Sequence, residues 1–327
     1  MSQKQIGIMG TGVYLPEAIL TNKDLEKMVD TTSQWIVERS GIHERRIVAP
    51  HEDTVSMAVA ASRQALANAG IEPEQLSYIV LGTNTPPHFF PAGAIRVQEE
   101  LGIGGQAAAF DLQAGCCGFN YALYVGERLV APEGKYALVI GSDACSRFTD
   151  WTNRATCLLF GDGAGAVVIG PNSRHHIIKS FIASKLNENL YCETSFDKDV
   201  SPFLPPQTHT QRYFLQMDGP EIFKFAVGAV KESIPRILEL AEMSREEIDY
   251  LIIHQGNYRI LEAGAKFARV PMEKVFVNIH RYGNTSAASV PIALHEARQE
   301  GKIKEGDRVL LVSFGAGATW GATLLEW

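Results

Sequence analysis

The stretch Ala69-Gly70-Ile71-Glu72-Pro73-Glu74-Gln75-Leu76-Ser77-Tyr78-Ile79-Val80-Leu81 reads as a helix end, a charged turn and an apolar strand, and it has a second copy 172 residues further on: Ala241-Glu242-Met243-Ser244-Arg245-Glu246-Glu247-Ile248-Asp249-Tyr250-Leu251-Ile252-Ile253. Glu74 falls on Glu246, and both strands carry a tyrosine two residues after the first apolar side chain. The same offset lays Tyr136-Ala137-Leu138-Val139-Ile140 on Arg308-Val309-Leu310-Leu311-Val312 and places Cys116 on Ala288. Agreement of separate segments at one offset is the mark of internal duplication. The halves are expected to meet near Gly170-Pro171, giving units 1–171 and 172–327, with the helix starts after Cys116 and after Ala288 turned toward a shared centre.

Outward from these segments the chain alternates short apolar runs with helical periodicity, an α/β pattern. Strands are expected over 5–10, 78–82, 107–112, 136–141, 158–169, 177–183, 250–254, 274–279, 309–314 and 321–325. Helices fit 53–69, 93–101, 117–130, 220–241, 258–268 and 287–300, with a kink at Pro235. Residues 187–212, holding Pro202, Pro205 and Pro206, show no period and read as a loop excursion, a lid or pocket wall.

Composition narrows the class. With 327 residues, 46% hydrophobic and 20% charged, mean hydropathy −0.04 and formal charge −7, the chain has the profile of a soluble globular protein. Thirty-seven acidic against 30 basic residues leave no basic excess for a nucleic-acid backbone. No apolar run reaches membrane-spanning length, and Met1-Ser2-Gln3-Lys4-Gln5 is no signal peptide, so a cytoplasmic location is expected. Five cysteines without C-x-x-C spacing point to free thiols.

Two of those thiols, Cys116 and Cys117, are adjacent, and two small buried hydrophobes would explain them equally well before their context is weighed. Cys116, however, lies between the strand ending Phe110-Asp111-Leu112 and the helix opening Gly118-Phe119-Asn120, where a helix dipole and unpaired amides favour the thiolate and hold a developing oxyanion. That suits acyl transfer; Cys117 is expected to be structural. His254, in His254-Gln255-Gly256-Asn257, follows a strand at the end of an α/β sheet where active sites form, although a lone histidine there is more often structural. Asn284, in Gly283-Asn284-Thr285-Ser286, supplies a neutral donor or a helix cap. Together a neutral His and an Asn can donate two hydrogen bonds to one thioester oxygen and stabilise an enolate. Competing motifs fail: Leu15 breaks G-x-G-x-x-G after Gly10 and Gly12, and neither a Walker lysine, H-E-x-x-H nor G-x-S-x-G occurs. No metal, nicotinamide or other cofactor is expected.

These motifs, together with Trp35-Ile36, Arg39-Ser40-Gly41-Ile42, Phe160-Gly161-Asp162-Gly163-Ala164-Gly165 and Phe314-Gly315-Ala316-Gly317, resemble 3-oxoacyl-acyl-carrier-protein synthase III from end to end. The resemblance implies a thiolase fold, two similar αβαβα halves in five layers, in a homodimer. It implies that Cys116 takes an acyl group from acyl-CoA with the amides of Cys116 and Ala316 as oxyanion hole. His254 and Asn284 would then stabilise the enolate of malonyl-acyl-carrier protein as carbon dioxide leaves, beside Phe314. By the same resemblance Trp35, Arg39 and Arg154 hold CoA, though Trp35 read alone fits a core position equally well. Phe160, Cys145 and a partner subunit's copy of Phe90 shape the acyl pocket, and Lys224, Arg259 and Lys266 form a basic carrier-protein patch. Phe267 stands where a basic residue is common, Pro220 where a polar one is frequent, and Cys145 where some members carry leucine, which leaves room for acyl groups longer than acetyl. The alternatives are a related condensing enzyme of secondary metabolism with another acceptor, and a non-catalytic carrier-binding module.

Overall fold

In a computed structural model, residues 5–132, 135–171, 173–193 and 214–327 are described. The first half runs β1 (Ile6–Tyr14), β2 (Ala18–Thr21), α1 (Asn22–Leu25), α2 (Ser33–Ser40), β3 (Glu44–Ile47), α3 (Thr54–Ala69), β4 (Leu76–Gly82), α4 (Gly93–Glu100), β5 (Ala108–Leu112), α5 (Gly118–Val130), β6 (Tyr136–Ala144), α6 (Arg154–Cys157) and β7 (Asp162–Pro171). The second runs β8 (His175–Asn187), β9 (Leu190–Tyr191), β10 (Gln216–Met217), α7 (Gly219–Ala241), β11 (Tyr250–Ile253), α8 (Tyr258–Ala268), α9 (Ile279–Tyr282), α10 (Ser289–Gln299), β12 (Arg308–Gly315) and β13 (Gly317–Glu326).

Among the described residues nine strands pair in the order β11-β12-β13-β8-β1-β7-β6-β4-β5. In the first half β4 is parallel to β5 and β6, whereas β7 is antiparallel to β6 and β1. The second half repeats this with β11 parallel to β12, then β13 and β8 antiparallel. The two runs touch through only two residue pairs, Gly7 with His176 and Ile8 with His175.

Strand side chains alternate between faces, and here both faces are apolar because both are covered. Ile79, Leu81, Leu138 and Ile140 pack outward against Met57, Ala61 and Leu66 of α3 and Val97 of α4. Leu251, Ile253, Leu310 and Val312 pack outward against Ile234 and Ile237 of α7 and Leu261 of α8. The intervening residues Val80, Val139, Ile252, Val309 and Leu311 share a core with Phe119 and Leu123 of α5 and Val290 and Leu294 of α10. Helices, sheet, helices, sheet, helices make five layers, and α5 and α10 form the middle one. Their N-termini, each preceded by a 3-10 turn (Gly115–Cys117 and Ser286–Ala288), therefore meet.

Two sequence expectations need correction. Residues 274–279 are not a strand: a 3-10 turn (Met272–Lys274) and α9 flank a single bridge from Val275 to Leu251. The Gln255 side chain takes the place of a ladder, donating to the Ile253 and Phe276 carbonyls (2.8 and 3.1 Å) and accepting from the amides of Asn278 and Ile279 (3.0 and 3.2 Å). The strand expected over 158–169 begins only at Asp162, because Leu159 and Gly161 bond to the backbone of Asn284 instead. Helix α7 runs through Pro235 without ending; that residue lies on the exposed face, where water can take up the carbonyl its missing N–H leaves free. Of the loop expected over 187–212, residues 194–212 lie outside the described residues.

Candidate active site

Cys116 sits in the 3-10 turn between β5 and α5, facing the turn between β12 and β13. The two turns interlock through glycines. Gly115 has φ +55°, and a Cβ there would fall 2.4 Å from the Ala316 nitrogen; a Cβ on Gly315 would fall 2.3 Å from the Cys116 nitrogen. Only glycines let these two amides lie side by side. Cys117 is wholly buried with its sulfur 2.8 Å from the Ser313 hydroxyl, a packing role.

The expected thiolate is not what the surroundings of the sulfur favour. Burial pushes the Cys116 thiol up to about 11, and the nearby Asp143 carboxylate adds to this, against smaller opposing effects of hydrogen bonds from Ser286 and Asn284. A partial dipole at a helix end does not outweigh the burial of the sulfur. The resting cysteine is a thiol.

His254 follows β11, with its amide bonded to the Val312 carbonyl at 2.8 Å. Its Nδ1 lies 2.5 Å from the Ser289 hydroxyl at the start of α10, and its ring meets Phe314 edge to face with centroids 5.0 Å apart. Burial alone lowers its pKa to about 3, so the imidazole is neutral. With Ser289 donating to Nδ1, the single ring proton belongs on Nε2. Asn284 is held by its backbone, its amide donating to the Leu159 carbonyl (2.9 Å) and its carbonyl accepting from Gly161 (3.0 Å). Its Oδ1 accepts from the Ser286 amide at 2.8 Å, which leaves Nδ2 as a donor. The residues before β7 that were expected to be strand thus fix this asparagine.

Cys116, His254, Asn284 and Phe314 line one cavity of about 490 Å³, together with Phe160, Pro220 and, toward the outside, Trp35, Arg39 and Arg259. Trp35 is not a core residue: it is 39% exposed, with the Arg154 guanidinium 4.3 Å above its ring and that of Arg39 at 5.8 Å. Asn257 caps α8 and donates to the Arg39 carbonyl, and Arg259 donates to the Glu38 carbonyl, so α2 and α8 are tied across this mouth. A second cavity, of about 740 Å³, has Cys116 and Phe160 in common with the first and is lined further by Phe89, Phe110, Phe148, Leu215 and Ala316.

Some sequence-predicted residues stand apart. Cys145 lines neither cavity and is wholly buried behind the wall, in a cluster with Phe160, Leu190 and Leu215. Phe90 also lines neither and is 85% exposed. Lys224 and Lys266 are exposed on α7 and α8, Lys224 3.9 Å from Glu221, and Phe267 packs partly buried against the second-half core. Sequence reasoning gave no role to Ser289, Ser286, Asn84 or Asp143; Ser286 stands inside a quoted motif, and the other three carry no local pattern. Among the described residues no cluster of three or more His, Cys, Asp or Glu could hold a metal ion.

Comparison with known families turns on these same segments: 3-oxoacyl-[acyl-carrier-protein] synthase III matches residues 110–186, and its C-terminal region matches residues 238–327. The protein of this kind from Syntrophomonas wolfei is 45% identical over 330 residues, covering 99% of this chain and 98% of that one. The chain belongs to the beta-ketoacyl-[acyl-carrier-protein] synthase III family. It is an acyltransferase of the condensing type, with the thiolase fold. A crystal structure of the family from Aquifex aeolicus superposes with a TM-score of 0.90 at 44% identity, covering 98% of this chain and all of that one. The priming β-ketosynthase of the R1128 polyketide pathway superposes at 0.91 with 32% identity, covering 99% of this chain and 96% of that one.

Proposed function

We propose that the chain joins an acyl-CoA primer to malonyl-acyl-carrier protein by decarboxylating condensation, giving a 3-oxoacyl-carrier protein two carbons longer and starting fatty acid synthesis. The observation that carries this is one cavity in which a thiol, Cys116, faces two neutral donors, His254 and Asn284, each with its other polar atom engaged by a serine. Cys116 attacks the primer thioester as its proton and the CoA thiolate leave together; the amides of Cys116 and Ala316 take the oxyanion. The malonyl carboxylate then departs as carbon dioxide, and its electron pair becomes an enolate whose oxygen accepts from His254 and Asn284. The enolate carbon attacks the acyl-cysteine and the sulfur leaves. Neutral donors suit this step, because an imidazolium would attract and retain the carboxylate that must leave.

Trp35, Arg39 and Arg154 bind the CoA nucleotide at the first mouth, and Lys224, Arg259 and Lys266 on α7 and α8 meet the acidic carrier protein, where a local positive patch outweighs the net charge. The acyl chain enters the second cavity, and Cys145 acts through the packing of Phe160 rather than by contact. A homodimer is supported by β5, an edge strand among the described residues, and by the exposed Phe90; it would give each pocket a partner's Phe90. The units 1–171 and 172–327 are one cooperative body, since α5 and α10 share a core. No described helix is long and apolar enough to cross a membrane, and a cytoplasmic location is proposed from composition.

Incubation with a series of acyl-CoAs, read by the adduct mass on the Cys116 peptide, tests the first step and gives chain length. Turnover of acetyl-CoA equal to that of butyryl- to octanoyl-CoA would sink the longer-chain reading. His254→Ala is expected to acylate but not to decarboxylate malonyl thioester; normal condensation by that variant would refute its role. The likeness to the R1128 priming enzyme favours, as a second reading, the same chemistry with a different acceptor; a mass-spectrometric screen of malonyl-carrier protein, malonyl-CoA and small amines decides between them.

A further inference from the structure

Behind Cys116, a chain of polar side chains in the wall of the second cavity has no task in the reaction just described. Asp143, at the end of β6, is wholly buried. Its Oδ1 accepts from the Asn84 amide (2.6 Å) and from the hydroxyls of Thr83 and Thr85 (3.0 and 3.2 Å), and its Oδ2 from Asn84 Nδ2 (2.9 Å) and the Ala287 amide (3.0 Å). Five dipolar donors drawn from both halves of the molecule thus hold one carboxylate.

The direction of the next hydrogen bonds follows from inventory. Asn84 Nδ2 also reaches the Gly115 carbonyl at 3.1 Å. A carboxylate and a carbonyl only accept, so the Asn84 side chain must present its NH₂ group there. That group also lies 3.2 Å from the Ser286 hydroxyl, so its two protons are shared among three acceptors, the serine at the longest distance. The serine hydroxyl, facing the NH₂ group on one side, donates its own proton to its other neighbour, Cys116 Sγ, at 3.4 Å. Ser286 is also one of only three non-glycine residues with positive φ (+52°) among those described, a conformation that disfavours a Cβ. Asn284 on the Ser286 amide and Asp143 on the next amide keep it there. Strain of this kind, retained beside a reactive sulfur, points to use rather than accident.

We propose that Ser286 is a positioning residue for acyl transfer: its hydroxyl, aimed by Asn84 from the Asp143 anchor, donates to Cys116 Sγ and stabilises the charge that sulfur carries as it enters and leaves the thioester. This rests on Cys116 being the acylated nucleophile. The carboxylate opposes charge on the sulfur, whereas the Ser286 hydrogen bond favours it.

The test is the rate of Cys116 alkylation by iodoacetamide from pH 6.5 to 9.5, with acylation by acyl-CoA followed by intact mass, in wild type, Ser286→Ala and Asn84→Ala, with thermal midpoints alongside. Loss of the donor should slow alkylation by about 5- to 20-fold at every pH, which moves the whole pH–rate line toward higher pH by about one unit. Asn84→Ala should move it the same way by less. A merely structural role would change the thermal midpoint and leave the line in place. Lines that superimpose on wild type for Ser286→Ala overturn the proposal, and if that variant does not fold, a superimposable line for Asn84→Ala does so. If acyl-CoA labels nothing in wild type while the alkylation line still moves, the functional reading fails and the hydrogen bond to sulfur stands.

Discussion

At the scale of single residues, the site works with uncharged groups. His254 is neutral throughout the physiological range because nothing offsets its burial, and Cys116 is a thiol for the same reason. The second fact has a direct consequence. With the thiol pushed up to about 11, the thiolate fraction rises tenfold per pH unit below that value, so wild-type alkylation should climb steadily from pH 7 to 10 without a plateau. A plateau near pH 8 would contradict the enclosure of the sulfur. Gly115 matters through what it lacks. Gly115→Ala would put a methyl against the Ala316 nitrogen in a left-handed conformation, and acylation should fall by about 100-fold or more, as when an oxyanion donor is lost. Residue types and their order were legible here: Cys116, His254 and Asn284 were singled out from sequence and share one cavity. What escaped was their support, since the partners Ser289, Asn84 and Asp143 are remote in sequence from the groups they hold.

At the scale of elements, side chains of the His254-Gln255-Gly256-Asn257 motif do work that backbone ladders do elsewhere. Gln255 satisfies four backbone groups, three of them in the segment 276–279 that was expected to be part of a strand. Replacing it by Ala leaves those buried groups unpaired, and urea denaturation should show a loss of about 2–4 kcal/mol together with lower condensation activity, since His254 is its neighbour. Asn257 both caps α8 and holds the Arg39 carbonyl. Asn257→Ala should cost about 1 kcal/mol of stability and raise KM for acyl-CoA more than it lowers kcat, because it loosens the mouth proposed to bind CoA and not the reacting centre. Periodicity located most strands and helices because each buries a regular apolar face. It failed at 158–161 and 274–279, where apolar side chains are buried but hydrogen bonds come from Asn284 and Gln255. Hydrophobic pattern reports burial and is blind to which group takes the backbone bonds.

At the scale of the whole molecule, burial of histidines sets a limit on acid stability. His254, His175, His280 and His295 all have lowered pKa values, with burial as the first cause. The unfolded chain takes up a proton at each as pH falls through about 6.5, while the folded chain does not until lower pH. Stability from these groups is therefore complete above about 6.5 and declines as pH falls toward the folded values, lowest for His254 at about 3. Thermal midpoints should drop from pH 7 to pH 5, and drop less in His254→Gln; equal drops would show that this imidazole is not the group resisting its proton. The sequence by itself determined the duplication, the class of fold and the chemical types at the centre, because a repeated offset and an apolar period survive in one dimension. Only the tertiary structure decided which remote side chains support the centre, that the cysteine rests as a thiol, and that Ser286 faces it. Those outcomes depend on distance and on the exclusion of water, and neither is written along the chain.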